Sequence, residues 1–181
     1  LVQRGATTTA IDLSPDMVEA AKRRVGGQAR IIAYDMSEPL PFQDETFHHI
    51  VSSLTLHYIE DWAPVFRQFH RVLKPGGQLL FSVHHPFMDF TIFQRPDYYA
   101  HEVLVDQWDK KEAGLVEVTF YRRPLQMIIN ETTERFTLDR VVEPQPVAAF
   151  PETSPAPRWY ERLMKQPHFL IVQAHKEGRG V

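Results

Sequence analysis

The chain has 181 residues, 43% of them hydrophobic and 24% charged, with a formal net charge of -3 and no cysteine. That length and balance suit a single globular domain with a sizeable core, and the near-neutral charge argues against nucleic acid as a partner. Without cysteine there is no disulfide frame, thiolate nucleophile or Cys-ligated zinc, which fits a cytoplasmic setting; no apolar run approaches the roughly 20 residues that span a bilayer, so no membrane partner is expected.

Residues 7–12 read as a short strand closed by an acid, Asp12. Ser14 then suits a helix cap, Pro15 suits the first helical position, and Met17, Val18, Ala21 and Val25 recur at helical spacing. A carboxylate at the carboxyl edge of a sheet lies where open α/β folds bind ligands, and it suits a ribose diol; the competing reading is a turn residue. Residues 30–36 form a second predicted strand carrying Asp35, and 40–47 a turn-rich loop. Residues 48–53 are a third strand ending at Ser53, followed by a helix over 61–73. The break Lys74-Pro75-Gly76-Gly77 precedes an apolar strand over 78–83. Strands alternating with helices predict a parallel sheet with crossover connections.

Beyond this point regular periodicity is lost. Residues 84–108 are aromatic and poorly periodic; Phe87, Phe90, Phe93, Tyr98, Tyr99 and Trp108 suit either the wall of a small-ligand pocket or the packing of an insertion onto the sheet. Residues 116–121 alternate as a strand, 124–134 read as a helix, and 136–142 as a strand. A proline-rich loop over 143–157 leads to a short helix over 159–165 and a last strand over 169–174. Of the nine histidines, His48 and His49 are adjacent in a strand and face opposite sides, which disfavours a shared metal site. His57 falls just past the third strand, and His84 and His85 end the strand after the break, all at the expected ligand edge; a histidine takes up a proton near neutral pH. No metal set is apparent.

Four segments resemble, in order, the class I S-adenosylmethionine-dependent methyltransferases, especially their small-molecule branch. Ala10-Ile11-Asp12-Leu13-Ser14-Pro15-Asp16-Met17 is similar to the family's ribose-binding motif, Tyr34-Asp35-Met36 to its adenine-flanking motif, residues 47–60 to its fourth-strand motif, and Arg71-Val72-Leu73-Lys74-Pro75-Gly76-Gly77 to the break before its fifth strand. The resemblance covers residues 1 to about 85 closely. It implies a Rossmann-like, doubly wound, mostly parallel α/β sheet with an antiparallel last strand and a substrate lid inserted after the fifth strand, over residues 86–122. It implies S-adenosyl-L-methionine as cofactor, held by Asp12, Leu13, Asp35, Met36 and Ser53, and a small-molecule methyl acceptor as partner. His57 and His85 are the expected catalytic groups, His85-Pro86 resembling a turn of related small-molecule enzymes.

The family's first strand and glycine-rich loop have no counterpart ahead of Leu1, and the eight glycines include no such cluster. The expectation is therefore one amino-terminally truncated domain over 1–181. Two other readings stand beside the methyltransferase. A nicotinamide-dependent oxidoreductase would also place an acid on a ribose, and a noncatalytic binding or scaffold protein would keep the fold without the cofactor loop.

Overall fold

The computed structural model describes residues 1–110, 114–147 and 157–178. They group into two compact units, Leu1–Pro41 and Phe42–Val181.

In the first unit, β1 (Thr8–Asp12) pairs in parallel with β2 (Ala29–Ala33), Asp12 standing opposite Ala33. The crossover is α1 (Pro15–Val25). Its start is fixed as the sequence predicts: Ser14 Oγ accepts from the Met17 amide at 3.4 Å, with Pro15 in the first turn. Gly26 ends it at φ 59°, a left-handed conformation that glycine adopts without strain. Val18 from the helix and Ile31 from β2 are the buried apolar residues of this unit's regular elements. β2 stops at Ala33 rather than running to Met36, because Asp35 Oδ1 accepts from both the amide and the hydroxyl of Ser37 and turns the chain.

The second unit is built on β3 (Phe47–Ser53), α2 (Trp62–Val72) and β4 (Leu73–His84). After β4 come α3 (Pro86–Ile92), the hairpin β5 (Glu102–Lys110) and β6 (Gly114–Arg122), and α4 (Leu125–Thr133). The chain closes with β7 (Thr137–Val142), α5 (Arg158–Lys165) and β8 (Phe169–His175). The sheet order is β3-β4-β8-β7, with β3 and β4 parallel and β8 antiparallel to both its neighbours, the antiparallel last strand that the resemblance implied. α2 is capped by Asp61, whose Oδ1 accepts from the Ala63 amide at 3.0 Å, and it buries Trp62, Val65, Phe66, Phe69 and Val72. Alternate residues of β4, namely Leu79, Phe81 and Val83, are buried with Leu170, Val172 and Ala174 of β8. The Phe66 ring lies 5.8 Å from Phe81 and 6.0 Å from Phe136, so helix and sheet meet through aromatic contacts.

Two elements differ from the sequence expectation. The Lys74-Pro75-Gly76-Gly77 segment lies within β4: Leu73 already pairs with Phe47, the register shifts before His49 meets Gln78, and Gly76 and Gly77 exchange backbone bonds with Lys176. The predicted break is thus an irregularity inside a long strand. The stretch 84–108 contains a helix and a full nine-residue strand, β5, paired with β6 from Glu102↔Arg122 to Lys110↔Gly114. The described residues of 86–122, the segment expected to form a lid, make up α3 followed by a β-hairpin. Residues 148–156 of the expected proline-rich loop lie outside the described residues.

Gly77 marks a close backbone approach, since a Cβ there would lie 2.7 Å from the Lys74 carbonyl oxygen and 3.2 Å from that of His48. Gly77→Ala is expected to destabilise the protein by about 1–3 kcal/mol, the scale of a forced backbone shift. A fall in the urea unfolding midpoint at unchanged slope is the check.

Candidate active site

The four sequence-predicted cofactor residues of the first unit gather at the carboxyl edge of the β1/β2 ladder. Asp12 ends β1 exposed; its Oδ1 accepts from the Ser14 amide at 2.9 Å, which fixes the carboxylate beside the helix start. The Tyr34 amide donates to the Asp12 carbonyl at 2.9 Å and ties the two strand ends together. Leu13 is 70% and Met17 58% exposed, so two apolar side chains stand uncovered next to the acid. Asp35 and Met36 are half-buried in the turn after β2. Hydrogen bonds from the Ser37 hydroxyl and amide hold the Asp35 carboxyl below its ordinary range.

Ser53, the fifth predicted cofactor residue, ends β3 in the second unit. Its carbonyl accepts from the Thr55 hydroxyl, and the Ser82 hydroxyl reaches its Oγ at 3.5 Å. The next residue, Leu54, takes φ 52°, unusual for a side-chain-bearing residue, and its amide is held by Ser82. That turn leads into the short 3-10 segment Leu56–Tyr58, which carries His57.

A small cleft lies where the ends of β3 and β4 meet the hairpin, lined by His57, Trp62, Val83, His84, Asp89, Tyr121, Arg123 and Ile128. Among the described residues it concentrates buried polar atoms without a hydrogen-bond partner: both ring nitrogens of His57, Nδ1 of His84, Oδ1 of Asp89, and Nε and NH1 of Arg123. Native interiors rarely leave such groups unpaired, and a cluster of them calls for an explanation. The His57 and His84 rings stack at 4.1 Å and 20° between planes, with Phe120 edge-on to both. Asp89 Oδ1 approaches His84 Nδ1 at 3.5 Å, and both side chains are nearly solvent-free. Trp62 closes the floor: its indole donates to the Leu56 carbonyl at 2.8 Å, and the Arg123 guanidinium sits 4.3 Å over its ring. Among the described residues, no three His, Asp or Glu side chains converge as a metal site.

Burial sets the electrostatics here. It pushes the His57 imidazole down to about 3, with the neighbouring His84 and Arg123 charges adding to the effect, so the ring is neutral at physiological pH. It also brings Arg123 down to about 10, against the opposing pull of Glu131, Asp61, Tyr121 and Glu60, and the guanidinium stays charged.

Of the two histidines expected to be catalytic, His57 is in the cleft. His85 is buried next to it in sequence but engaged elsewhere: its Nδ1 accepts from the Phe87 amide, capping α3, and its Nε2 pairs with Glu143 at 2.8 Å. His84 lines the cleft instead. Asp89, Arg123 and Trp62 were not singled out from sequence as site residues.

The methyltransferase-domain family matches residues 1–81. Over 73 residues the chain is 37% identical to a demethylmenaquinone methyltransferase of Chlorobaculum tepidum, covering 40% of this chain and 29% of the relative. Over 80 residues it is 35% identical to a malonyl-[acyl-carrier protein] O-methyltransferase of Hamiltonella defensa, covering 44% and 30%. The aligned segment thus spans under a third of the length of these curated relatives. An S-adenosylmethionine-dependent methyltransferase from Mesorhizobium loti shares the fold, with a TM-score of 0.66 and 24% identity over 96% of this chain and 83% of that one. The N-methyltransferase NodS of Bradyrhizobium japonicum, solved with S-adenosyl-L-homocysteine, superposes with a TM-score of 0.59 at 16% identity over 94% and 66%. Residues 1–81 therefore match the methyltransferase-domain family, and the chain shares its fold with solved S-adenosylmethionine-dependent methyltransferases.

The buried neutral His57 makes a pH prediction. Its folded value of about 3 lies below the ordinary 6.5, so protons bind the unfolded chain preferentially between those pH values. The stability tied to keeping this ring neutral is complete above pH 6.5 and is lost progressively as pH falls toward 3. His57→Asn removes that dependence, so the stability of wild type relative to the variant should drop by a few kcal/mol across the window. Denaturation midpoints of both proteins at pH 7, 5.5 and 4 read this directly.

Proposed function

We propose that the protein transfers a methyl group from S-adenosyl-L-methionine to a small-molecule acceptor, which enters the cleft at the ends of β3 and β4. The observation that carries the reading is the pair Asp12 and Asp35 at one carboxyl edge of a parallel ladder, inside the segment that matches the methyltransferase-domain family. The residues fit the cofactor's nucleoside half. Asp12 offers an exposed carboxylate to a diol, the uncovered Leu13 and Met17 offer an apolar surface to a flat base, and Asp35 stays ionised as a hydrogen-bond acceptor. Met36 follows in the same turn, and Ser53 is assigned to the cofactor by motif position. The relatives act, by their names, on demethylmenaquinone and malonyl-[acyl-carrier protein], which supports a small or small-headed acceptor.

When bound, the cofactor supplies an already activated methyl on a sulfonium, so the work left to the chain is positioning, exclusion of water and proton removal. Trp62, Val83 and Ile128 provide apolar walls. Where the nucleophile is a neutral hydroxyl or an acidic carbon, His84 is the proton acceptor, with Asp89 beside its Nδ1 to steady the imidazolium. His57, made a weak base by burial, orients the acceptor and holds the His84 ring by stacking. His85 contributes by capping α3, which carries Asp89.

Asp12→Ala is expected to weaken S-adenosylmethionine binding by about 1–3 kcal/mol, the scale of a charge-assisted hydrogen bond; calorimetry showing equal affinity would remove the ribose assignment. With an acceptor in hand, His84→Ala should lower kcat by roughly 10²-fold with cofactor affinity intact, whereas His57→Ala should act mainly through KM. The reverse pattern would make His57 the base.

A further inference from the structure

Arg122 and Arg123 stand side by side at the end of β6, and strand alternation sends them to opposite sides. Arg122 is fully buried and fully employed. Its Nε and NH2 meet Glu102 Oε1 at 3.1 and 2.8 Å, NH1 donates to the Tyr98 carbonyl at 2.9 Å, and NH2 also donates to the Asp97 carbonyl at 2.6 Å. Arg95 braces the same Glu102 at 2.6 Å. Arg122 is a structural clasp, with every nitrogen used.

Arg123 is buried to the same degree, 3% exposed, yet only its NH2 is used, by the carbonyls of Ile59 and Glu60. Among the described residues Nε and NH1 have no partner, and none of the carboxylates around it, Glu60, Asp61 or Glu131, bonds to either nitrogen. A buried guanidinium that stays charged is costly to leave with open donors, because such groups are ordinarily paired. This one lines the cleft, with the neutral His57 ring and apolar Trp62, Val83 and Ile128 around it. The site offers a fixed positive charge next to an apolar wall. Its complement has an anionic end and an apolar body.

We infer that the cleft recognises a carboxylate on an apolar acceptor, paired to the open donors of Arg123. The assignment rests on the methyl-transfer reading for the word acceptor, and on Arg123 alone for the charge. A planar carboxylate suits a guanidinium, and the apolar walls favour an organic acid over a free inorganic anion. At the same cleft the Tyr121 hydroxyl reaches Glu60 only at 3.4 Å.

The probe pair is benzoate and benzamide, equal in shape and different in charge, titrated into the full-length protein while the Arg123 Nε–H resonance is followed by NMR. Benzoate is expected to shift that resonance and to bind at least about 10-fold more tightly than benzamide, the scale of one charged hydrogen bond. Arg123→Gln should reduce benzoate to the benzamide level, with folding checked by circular dichroism; should that variant not fold, the acid-against-amide comparison on wild type decides alone. Equal binding of acid and amide, benzoate binding that leaves the Arg123 resonance still, or absence of benzoate binding overturns the inference. Tighter binding of inorganic phosphate than of benzoate overturns it in favour of a phosphorylated ligand. S-adenosylmethionine affinity, measured in parallel by calorimetry, separates the two readings. Cofactor binding without benzoate binding removes the carboxylate site only, and benzoate binding without cofactor binding leaves the anion site and removes the methyl-transfer reading.

Discussion

A strand in the interior of a sheet must satisfy its backbone on both edges, and β4 does so with partners of opposite direction. It runs parallel to β3 on one side, from Gln78 to Ser82, and antiparallel to β8 on the other, from Gln78 to His84. Much of the second unit follows from that. Its buried residues Leu79, Phe81 and Val83 define the layer against which α2 lays Trp62 and Phe66. Its last residue, His84, emerges where β3 also ends, so the backbone pairing that builds the sheet delivers the imidazole to the cleft. The Ser82 side of the strand then holds the Leu54 turn in its left-handed conformation, which sets the path into the segment bearing His57.

The regular elements were legible in the sequence wherever one local rule dominated. Ser14-Pro15 and Asp61 announced their helices through capping, and α2 repeated its apolar residues cleanly. β5 was not legible, because Val103, Leu104 and Val105 are consecutive: only Leu104 is buried, while its two neighbours are about half exposed, so no period of two could be read. The continuity of β4 through Pro75-Gly76-Gly77 escaped for a different reason, since the bonds that sustain it come from Lys176, a hundred residues away in the chain. The acids of the first unit were found because they close strands. Asp89 and Arg123 were missed because their significance lies in burial without a partner, a property of the fold that no spacing encodes.

The two units differ in chemical regime. At the β1/β2 edge the acids are locally tied, Asp12 exposed and Asp35 half-buried, each bonded to a residue two positions ahead. In the cleft the groups are shut away and under-bonded. The first arrangement holds the Asp35 carboxyl below its ordinary range; the second suppresses the basicity of one imidazole and leaves a guanidinium short of partners among the described residues. A desolvated, preorganised pocket strengthens each interaction made inside it, and its cost is carried by the packing of Trp62, Phe81 and Phe120 around it.

The pairing of Glu102 with Arg122 sets which of two neighbouring cations faces the cleft. A hairpin reads its partner one residue at a time, and a slip by one position exchanges the two sides of a strand. Such a slip in β6 would hand Arg123 to the Glu102 clasp and swing Arg122 toward Trp62. The charge of the cleft is therefore a matter of strand registration as much as of composition. A one-residue slip along the ladder leaves composition untouched, yet rewrites the recognition surface at its Arg122 end.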